Sequence, residues 1–397
     1  MAELISIAEA QALILERVQA LEQESVPIGQ AAGRVLAESA RALVDLPPFA
    51  SSAMDGFALR AEETPGELPV SFRIAAGRPS PAPLAAGEAM AIATGGVVPD
   101  GADAVVPFEL VDERDNTVSV PHTVARGANV RPRGGDVRAG DAVVEAGVRL
   151  GAAQLGALAA SGIAEVVCAR RPRVAVLTTG TELRPPGEPL GPGEVYEANG
   201  VILAAQLAAA GALVERLAAV ADDEDAHRDA LAAGLEHDVL VTSGGVSVGP
   251  HDLVRKVEAE LGVEEVFWRV AVKPGKPLAF GVRGRTLVFG LPGNPVSSLV
   301  GFELFVRPAV LALQGALDPG PPLESGTLAE PVQRDPARDE LVRARTERRD
   351  GTVILEPLSG QESHMIARAA GADALVLVPR GDGQLGRGEA VSWLRLE

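Results

Sequence analysis

The spacing of hydrophobic and polar residues changes character along the chain. In residues 1–45, glutamates fall between apolar residues at helical spacing, as in "MAELISIAEAQALILERV", which predicts an amphipathic helix opening a mainly helical segment. From residue 46 to about 129, short runs rich in valine and isoleucine alternate with glycine and proline turns, which predicts a β-rich module. Residues 130–170 pass through closely spaced turns and then return to a helical pattern.

A third pattern begins at Arg171, where apolar strands alternate with helices. The run "RVAVLTT" is continuously apolar and β-branched, as a parallel strand covered on both faces requires. This alternation predicts, for residues 171–316, an α/β domain with a doubly wound, mainly parallel sheet. The linker-like "DPGPPLE" follows, and short strands between turns predict a small β module over residues 317–397.

Composition narrows the class of protein. A chain of 397 residues is long enough for two to four domains, and its hydrophobic and charged fractions are those of a soluble globular protein. The net charge of −18 is the opposite of a basic footprint, so we expect no nucleic-acid partner. The single cysteine, Cys168, excludes a disulfide within the chain and a thiolate metal site.

The sequence predicts neither a secretion signal nor a membrane span. The N-terminal residues lack the basic start and apolar run of a signal peptide. No segment is judged long and apolar enough to cross a membrane. We therefore expect a cytoplasmic protein that acts without a membrane partner.

Glycines and polar residues follow the predicted strands of the α/β domain. Glu182 comes after one strand, in "TTGTEL", and Asp252 after another, in "TSGGVSVGPHD". Ligands of open α/β sheets bind at the carboxyl ends of strands, and backbone N–H groups of such loops suit a phosphate. The alternative is that the glycines only permit tight strand-to-helix turns. The candidate binding residues of these loops are Thr179, Gly180, Ser243, Gly244, Gly245, Ser247 and Gly249.

Carboxylates beside a phosphate site repel it unless a cation lies between them. Mg²⁺ takes oxygen ligands from carboxylates and phosphates together, so Glu182 and Asp252 are candidate metal ligands. Asp222 or Asp223, in "AVADDED" after a further strand, is a third candidate. The alternative for residues 222–225 is a capped, solvated helix start.

Two of the three lysines in the chain stand in one short loop, "RVAVKPGKPLAFG". Lys273 and Lys276 are each followed by proline, which stiffens the loop, whereas 33 of the 36 strongly basic residues are arginine. Lysine carries a compact point charge with rotatable donors, which suits a small tetrahedral dianion. The alternative is an exposed hairpin with solvated lysines.

Three other segments carry candidate residues. The stretch "GLPGNPVSS" contains Pro292 and Pro295, and its Asn294 or Ser297 is a candidate cap for the following helix. Asp55, in "SSAMDGFAL", and the loop "IATGGVVPDG" are by themselves ordinary turn chemistry. No nucleophilic triad, P-loop or GxGxxG motif is present in the sequence.

Together these stretches resemble the molybdopterin molybdenumtransferase family, which also includes an enzymatic domain of gephyrin. The resemblance rests on motifs in the order typical of the family. They are "PPFASSAMDGFA", "ATGGVVPDGADAVVPFE", "RPRGGDVRAGD", "TTGTEL", "YEANGVIL", "SGGVSVGPHD", "KPGKP" and "GLPGNPVS". These motifs span residues 47–298, and the later "SGQESHMIARAAGADALVLVP" also fits. The combination is specific although each motif alone is modest.

The resemblance implies a multidomain α/β protein with four domains. They are an elongated helical dimerisation domain from residues 1–45 and 130–170, an inserted β-rich domain at 46–129, an α/β molybdopterin-binding domain at 171–316, and a β-barrel-like domain at 317–397. It also implies a homodimer whose site lies between the α/β domain of one subunit and the inserted domain of the other. The enzyme that adenylylates molybdopterin is an implied candidate partner.

The implied reaction uses adenylylated molybdopterin, molybdate and Mg²⁺. Molybdate is placed on the dithiolene, the pyrophosphate bond breaks and AMP leaves. The family pattern assigns the acidic, metal-related role to Glu182, Asp222 and Asp252, and the partner-subunit role to Asp55, Thr94 and Asp136. It assigns the oxyanion to Lys273, Lys276 and Ser297, with Arg343 or Arg338 and Ser363 reaching in from the last domain and Pro292 and Pro295 shaping the wall.

Some positions depart from the commonest family pattern. Phe57 replaces a usual tyrosine, Gly135 leaves Asp136 without an acidic neighbour, and Leu253 stands where an aromatic residue is common. Two other functions are compatible with parts of the chain. One is molybdopterin adenylylation, which shares the α/β domain, and the other is a non-catalytic pterin-binding scaffold.

Overall fold

The N-terminal segment contains less helix than its sequence pattern predicts. The computed structural model of the chain describes residues 4–220, 224–245 and 253–396. Its first elements are α1 (Ile7–Leu15), β1 (Gln23–Pro27) and β2 (Ala40–Arg41). The prediction of a mainly helical segment over residues 1–45 is therefore wrong, because α1 is the one α-helix among its described residues. Helix α1 packs its buried side chains into the core of the α/β module.

The inserted segment is β-rich, as predicted. Its strands are β3 (Ser51–Ser52), β4 (Gly56–Leu59), β5 (Gly66–Ile74), β6 (Ala89–Ile92), β7 (Ala104–Pro107), β8 (Asp112–Arg114) and β9 (Thr117–Val120). Six of them form a sheet in the order β7-β4-β6-β5-β9-β8. Phe57 is fully buried in its core and packs edge-on against Phe108, with ring centroids 4.9 Å apart. Phenylalanine suits this buried position, because the hydroxyl group of a tyrosine would require a hydrogen-bond partner there.

After the inserted segment, the chain runs back alongside its first three strands and pairs with them. The returning elements are β10 (Val130–Arg131), β11 (Ala142–Val144), α2 (Ala152–Ala160) and β12 (Glu165–Ala169). Each returning strand is antiparallel to an earlier one: β10 to β3, β11 to β2 and β12 to β1. Cys168 lies in the apolar core between these segments, and burial raises the pKa of its thiol. Residues 4–45 and 130–170 thus form one unit, which is built mainly from strand pairs rather than from helices.

The α/β module has the predicted doubly wound sheet. Its elements are β13 (Arg173–Thr178), β14 (Leu183–Arg184), β15 (Val195–Tyr196), α3 (Asn199–Ala209), β16 (Leu213–Arg216), α4 (Glu224–Gly234), β17 (Val239–Ser243), α5 (Leu253–Glu260), β18 (Glu264–Trp268), β19 (Val272–Lys273), β20 (Ala279–Arg283), β21 (Thr286–Leu291), α6 (Pro295–Gly301) and α7 (Arg307–Leu313). The sheet order is β16-β13-β17-β21-β20-β18. Strands β16, β13, β17 and β21 are parallel, and β20 is antiparallel to both of its neighbours.

The two faces of this sheet carry separate apolar cores. Helices α3, α6, α7 and α1 pack on one face, whereas α4 and α5 pack on the other. The stretch Pro295–Leu313, which joins α6 and α7 through a π-helical turn, has 19 residues, and an 18-residue window within it has a mean hydropathy of 1.6. It is therefore long and apolar enough to cross a membrane, so the expectation that no segment reaches that length was wrong. Its most apolar window is 78% buried, because it is a core helix of the sheet.

A closed barrel follows the α/β module. Its elements are β22 (Leu323–Leu328), β23 (Val332–Gln333), β24 (Asp339–Arg349), β25 (Thr352–Pro357), α8 (Ile366–Ala369), β26 (Ala374–Val378), β27 (Gln384–Leu385) and β28 (Ala390–Arg395). Strands β24, β25, β22, β28 and β26 form the ring, which closes because β26 also pairs with β24. The predicted barrel is confirmed. The short strand β19 of the α/β module extends this sheet, parallel to β24.

Candidate functional site

Three strand ends of the α/β sheet lie side by side. Thr178, at the end of β13, pairs with Ser243 at the end of β17, and Ser243 pairs with Leu291 at the end of β21. The loops that follow these three strands therefore meet at one edge of the sheet, where ligands of α/β proteins bind. The Thr179 N–H donates to the Ser243 carbonyl, and the Gly244 N–H donates to the Leu291 carbonyl, both over 3.1 Å. This convergence agrees with the prediction from the sequence.

Asn199 ties two of these loops together, and sequence reasoning did not single it out. Its Nδ2 group donates to Ser243 Oγ over 2.8 Å and to the Gly293 carbonyl over 2.7 Å. Ser298 completes the network, because its hydroxyl donates to the Pro292 carbonyl over 2.6 Å and lies 3.1 Å from Ser243 Oγ. The position of Asn199 at the start of α3, within the family motif "YEANGVIL", was the available signal.

Changing Asn199 to aspartate is expected to separate these loops. The substitution keeps the size of the side chain but replaces the N–H donor by an oxygen that repels the Gly293 carbonyl. For the activity that the motif resemblance implies, the Michaelis constant for the pterin substrate should rise about tenfold, as expected when a hydrogen bond that fixes the binding loops is lost. Steady-state kinetics at saturating molybdate measure this. Gln384→Glu, the same type of change at an exposed position, is the control. An unchanged Michaelis constant in Asn199→Asp would show that the hydrogen bonds of Asn199 do not hold the two loops in place for binding.

The glycines of the second loop are required sterically. Gly244 has φ of +99°, and a Cβ atom there would lie 2.6 Å from the Thr179 carbonyl oxygen. Gly245 has φ of +65°, and its Cβ would lie 2.4 Å from a Val254 methyl carbon. Both positions combine a left-handed backbone with close packing, so a larger residue is excluded. The alternative interpretation, tight turns, therefore has direct support, and phosphate binding by these residues stays a prediction.

The carboxylate of Glu182 lies against Gly180 at the end of β13. A Cβ atom at position 180, where φ is +155°, would lie 2.7 Å from both Glu182 carboxylate oxygens. Glycine thus leaves room for an exposed carboxylate at the ligand edge. The predicted residues Asp222, Ser247, Gly249 and Asp252 lie outside the described residues. Among residues 4–220, 224–245 and 253–396, no three potential metal ligands cluster.

The lysine loop is anchored, which argues against a free hairpin. Its ends are closed by a 3.1 Å hydrogen bond from the Val270 N–H to the Lys276 carbonyl. Gly275, with φ of +114°, lies against α6, because a Cβ atom there would be 3.7 Å from the Ser297 carbonyl oxygen. Lys273 Nζ lies 3.0 Å from Glu340 Oε1 of the barrel. Lys276 is exposed, and no carboxylate of the described residues forms an ion pair with it.

The wall that follows β21 is joined to the barrel through Ser363. Asn294 occupies the N-cap position of α6, but its side chain does not cap the helix. Its Nδ2 group instead donates to Ser363 Oγ over 2.8 Å, and the Val296 N–H donates to the Ser363 carbonyl over 3.0 Å. Pro295 begins the helix, and Ser297 is buried in its first turn. The structure therefore joins Ser363 to the proline wall, and its implied role at the oxyanion stays a prediction.

The two arginines expected to reach into this site are engaged elsewhere. Arg343 is 1% exposed, and its guanidinium donates to the carbonyls of Met365, Gly360 and Glu362 and to Gln361 Oε1. Burial lowers the pKa of Arg343, with a smaller opposing effect of Glu362. Arg338 is ion-paired with Asp335 over 2.7 Å. Arg343 thus holds the loop that carries Ser363, and a direct contact of Arg343 or Arg338 with the oxyanion stays a prediction.

The residues of the inserted segment form a separate group. Asp55 Oδ1 accepts a 2.7 Å hydrogen bond from the Thr94 N–H, which links two motifs that are 39 residues apart. Asp136 is exposed on the loop that follows β10, and β10 pairs with β3 shortly before Asp55. Between described residues, no hydrogen bond or ion pair joins Asp55, Thr94 or Asp136 to the strand-end loops.

Three family models match consecutive parts of the chain. Residues 5–162 match "MoeA N-terminal region (domain I and II)", residues 175–312 match "Probable molybdopterin binding domain", and residues 325–396 match "MoeA C-terminal region (domain IV)".

Similar proteins cover nearly the whole chain. A molybdopterin molybdenumtransferase 2 of Mycobacterium tuberculosis is 38% identical over 389 residues, which are 94% of this chain and 95% of the relative. The molybdopterin molybdenumtransferase of Haemophilus influenzae is 33% identical over 98% of both chains. A crystal structure of the molybdopterin biosynthesis protein MoeA of Pyrococcus horikoshii has a TM-score of 0.85 and 27% identity, covering 99% of this chain and all of that one.

Proposed function

The chain belongs to the molybdopterin molybdenumtransferase family, and from this premise we propose that it transfers molybdenum from molybdate to adenylylated molybdopterin, with Mg²⁺ present and AMP as a product. The activity of the family as a whole is that of a transferase of molybdenum-cofactor biosynthesis that inserts molybdenum. The proposed enzyme acts in the cytoplasm as a homodimer, next to the enzyme that adenylylates molybdopterin.

The observation that carries this proposal is the meeting of three segments at the ligand edge. The lysine loop, the wall after β21 and the Ser363 loop lie together, although they come from distant parts of the sequence. Lys276 places an exposed positive charge there on a chain with a net charge of −18. Cationic and hydroxyl donors in fixed positions bind a small oxyanion and stabilise the charge that shifts when its oxygens are replaced by sulfur.

The strand-end loops support the binding of the pterin and its pyrophosphate. The hydrogen bonds of Asn199, Ser243 and Ser298 hold two loops rigid, so their backbone N–H groups keep their direction when a substrate arrives. The exposed carboxylate of Glu182 fits a Mg²⁺ ligand, and Asp222 and Asp252 would complete the set. Bound there, Mg²⁺ would neutralise the pyrophosphate charge.

The argument for a site shared between two subunits comes from the inserted segment, residues 46–129. Asp55 and Thr94 are held together by a hydrogen bond and are exposed, yet no described contact ties them to the α/β site of their own chain. In the proposed homodimer they and Asp136 face the ligand edge of the partner subunit. A carboxylate from the second chain would then lie beside the leaving AMP.

An assay of AMP release tests the proposal against two alternatives. The full-length protein is incubated with adenylylated molybdopterin, Mg²⁺ and molybdate, and AMP is followed by chromatography. We expect AMP release to require molybdate, and release that is independent of molybdate would refute the proposal. Consumption of ATP with free molybdopterin would indicate an adenylyltransferase, whereas tight pterin binding without turnover would indicate a scaffold.

A further inference from the structure

The first lysine of the loop has a counterion that belongs to the barrel. Lys273 Nζ lies 3.0 Å from Glu340 Oε1, and the two residues are backbone partners in the parallel pairing of β19 with β24. The Asp339 N–H also donates to the Ala271 carbonyl over 3.0 Å, which holds the two strands in register. The ion pair is thus built into the sheet rather than formed by a chance meeting of two long side chains.

The two members of the pair differ in their freedom to move. The Glu340 side chain is 10% exposed, and its backbone is paired with Lys273 on one side and with Val378 on the other. The Lys273 side chain is 43% exposed, and its ammonium group lies at the end of four flexible methylene groups. When an oxyanion enters, the ammonium group can therefore change its position, whereas the carboxylate stays where it is.

Among the described residues, the neighbouring Lys276 lacks such a partner. No described carboxylate pairs with Lys276, so the loop presents one compensated and one uncompensated cation. A dianion bound between them lies close to the Glu340 carboxylate, which repels it and also attracts the Lys273 ammonium. Both effects weaken the binding of the dianion.

We propose that Glu340 sets the affinity of the site for its oxyanion by competing with it for Lys273. This inference rests on the proposed function, because it requires that the lysine loop binds molybdate. Glu340 is a positioning residue that acts through Lys273, whereas no described carboxylate competes with the oxyanion for Lys276. The competition keeps the oxyanion site from holding its ligand too firmly for transfer to the pterin.

The test is the affinity of the full-length protein for molybdate, measured by isothermal titration calorimetry at low ionic strength. Glu340→Gln keeps the size of the side chain and an oxygen acceptor but removes the charge. We expect the dissociation constant for molybdate to fall about tenfold, and the gain to shrink as salt is added. Glu330→Gln, at an exposed position of the barrel module, is the matched control and should leave the affinity unchanged.

A double-mutant cycle shows whether Lys273 carries the effect. In a Lys273→Ala background, Glu340→Gln should lose most of its benefit, because the competition needs the ammonium. Unchanged or weaker binding in Glu340→Gln, with an unchanged unfolding midpoint, overturns the inference. Absence of molybdate binding in the unmutated protein is a separate result, which contradicts the proposed function itself.

Discussion

Replacing Lys276 by alanine is expected to abolish molybdate-dependent AMP release while the fold stays intact. Lys276 is exposed at the ligand edge, and its ammonium group is not neutralised by a described carboxylate. Removing a preorganised donor from a site where charge develops lowers turnover about 100-fold or more. The side chain contributes little packing, so the midpoint of thermal unfolding should not change. AMP release by chromatography, with and without molybdate, measures the effect.

Lys256→Ala is the matched control for this experiment. Lys256 is the remaining lysine of the chain and forms its ion pairs with Glu224 and Glu260 on the surface of the α/β module. The control should keep full activity, because exposed ion pairs of this type contribute little to stability. Full activity in Lys276→Ala would mean that the lysine loop only connects two strands.

Replacing Arg343 by alanine is expected to give the largest loss of stability. The guanidinium is buried and supplies hydrogen bonds to the carbonyls of Gly360, Glu362 and Met365. Its removal takes one donor from each of these carbonyls and opens a cavity, so the free energy of unfolding should fall by about 3 kcal/mol. Denaturant titration followed by circular dichroism measures this. Arg348→Ala, at an exposed position of the same strand, should change it by less than about 0.5 kcal/mol.

The same arginine tests whether the barrel shapes the oxyanion site indirectly. Arg343→Met fills most of the volume but offers no hydrogen bonds, so the loop that carries Ser363 should loosen. We expect weaker molybdate binding together with reduced stability, because both follow from the loosened loop. Lost molybdate binding at unchanged stability would instead indicate that Arg343 contacts the oxyanion directly.

The strand ends of the α/β module were predictable because parallel sheets impose order on the sequence. Each buried strand must be apolar throughout, so the first polar or glycine residues after it mark the ligand edge. Thr179, Ser243 and Pro292 follow this rule and do lie at the ends of neighbouring strands. The stiff lysine loop was conspicuous for a different reason, since lysine is so rare in this chain.

The remaining features depend on contacts between distant residues, which a local pattern does not encode. Asn199 resembles an ordinary residue at a helix start until its partners Ser243 and Gly293 are known. The burial of Arg343 does not follow from its local sequence, because the loop that covers it comes some 20 residues later. The pattern of residues 1–45 predicts helix where β1 lies, because β12, which pairs with β1, comes about 140 residues further along the chain.

The lysine loop belongs to two sheets at once, and this has a mechanical consequence. Lys273 is fixed to the barrel through β24, whereas Lys276 leads directly into β20 of the α/β sheet. A rotation of the barrel relative to the α/β module would therefore shift the backbone of Lys273 relative to that of Lys276. The affinity for a small dianion depends steeply on the distance between the two ammonium groups. The separation of the two lysines thus depends on how the barrel and the α/β module are oriented relative to each other.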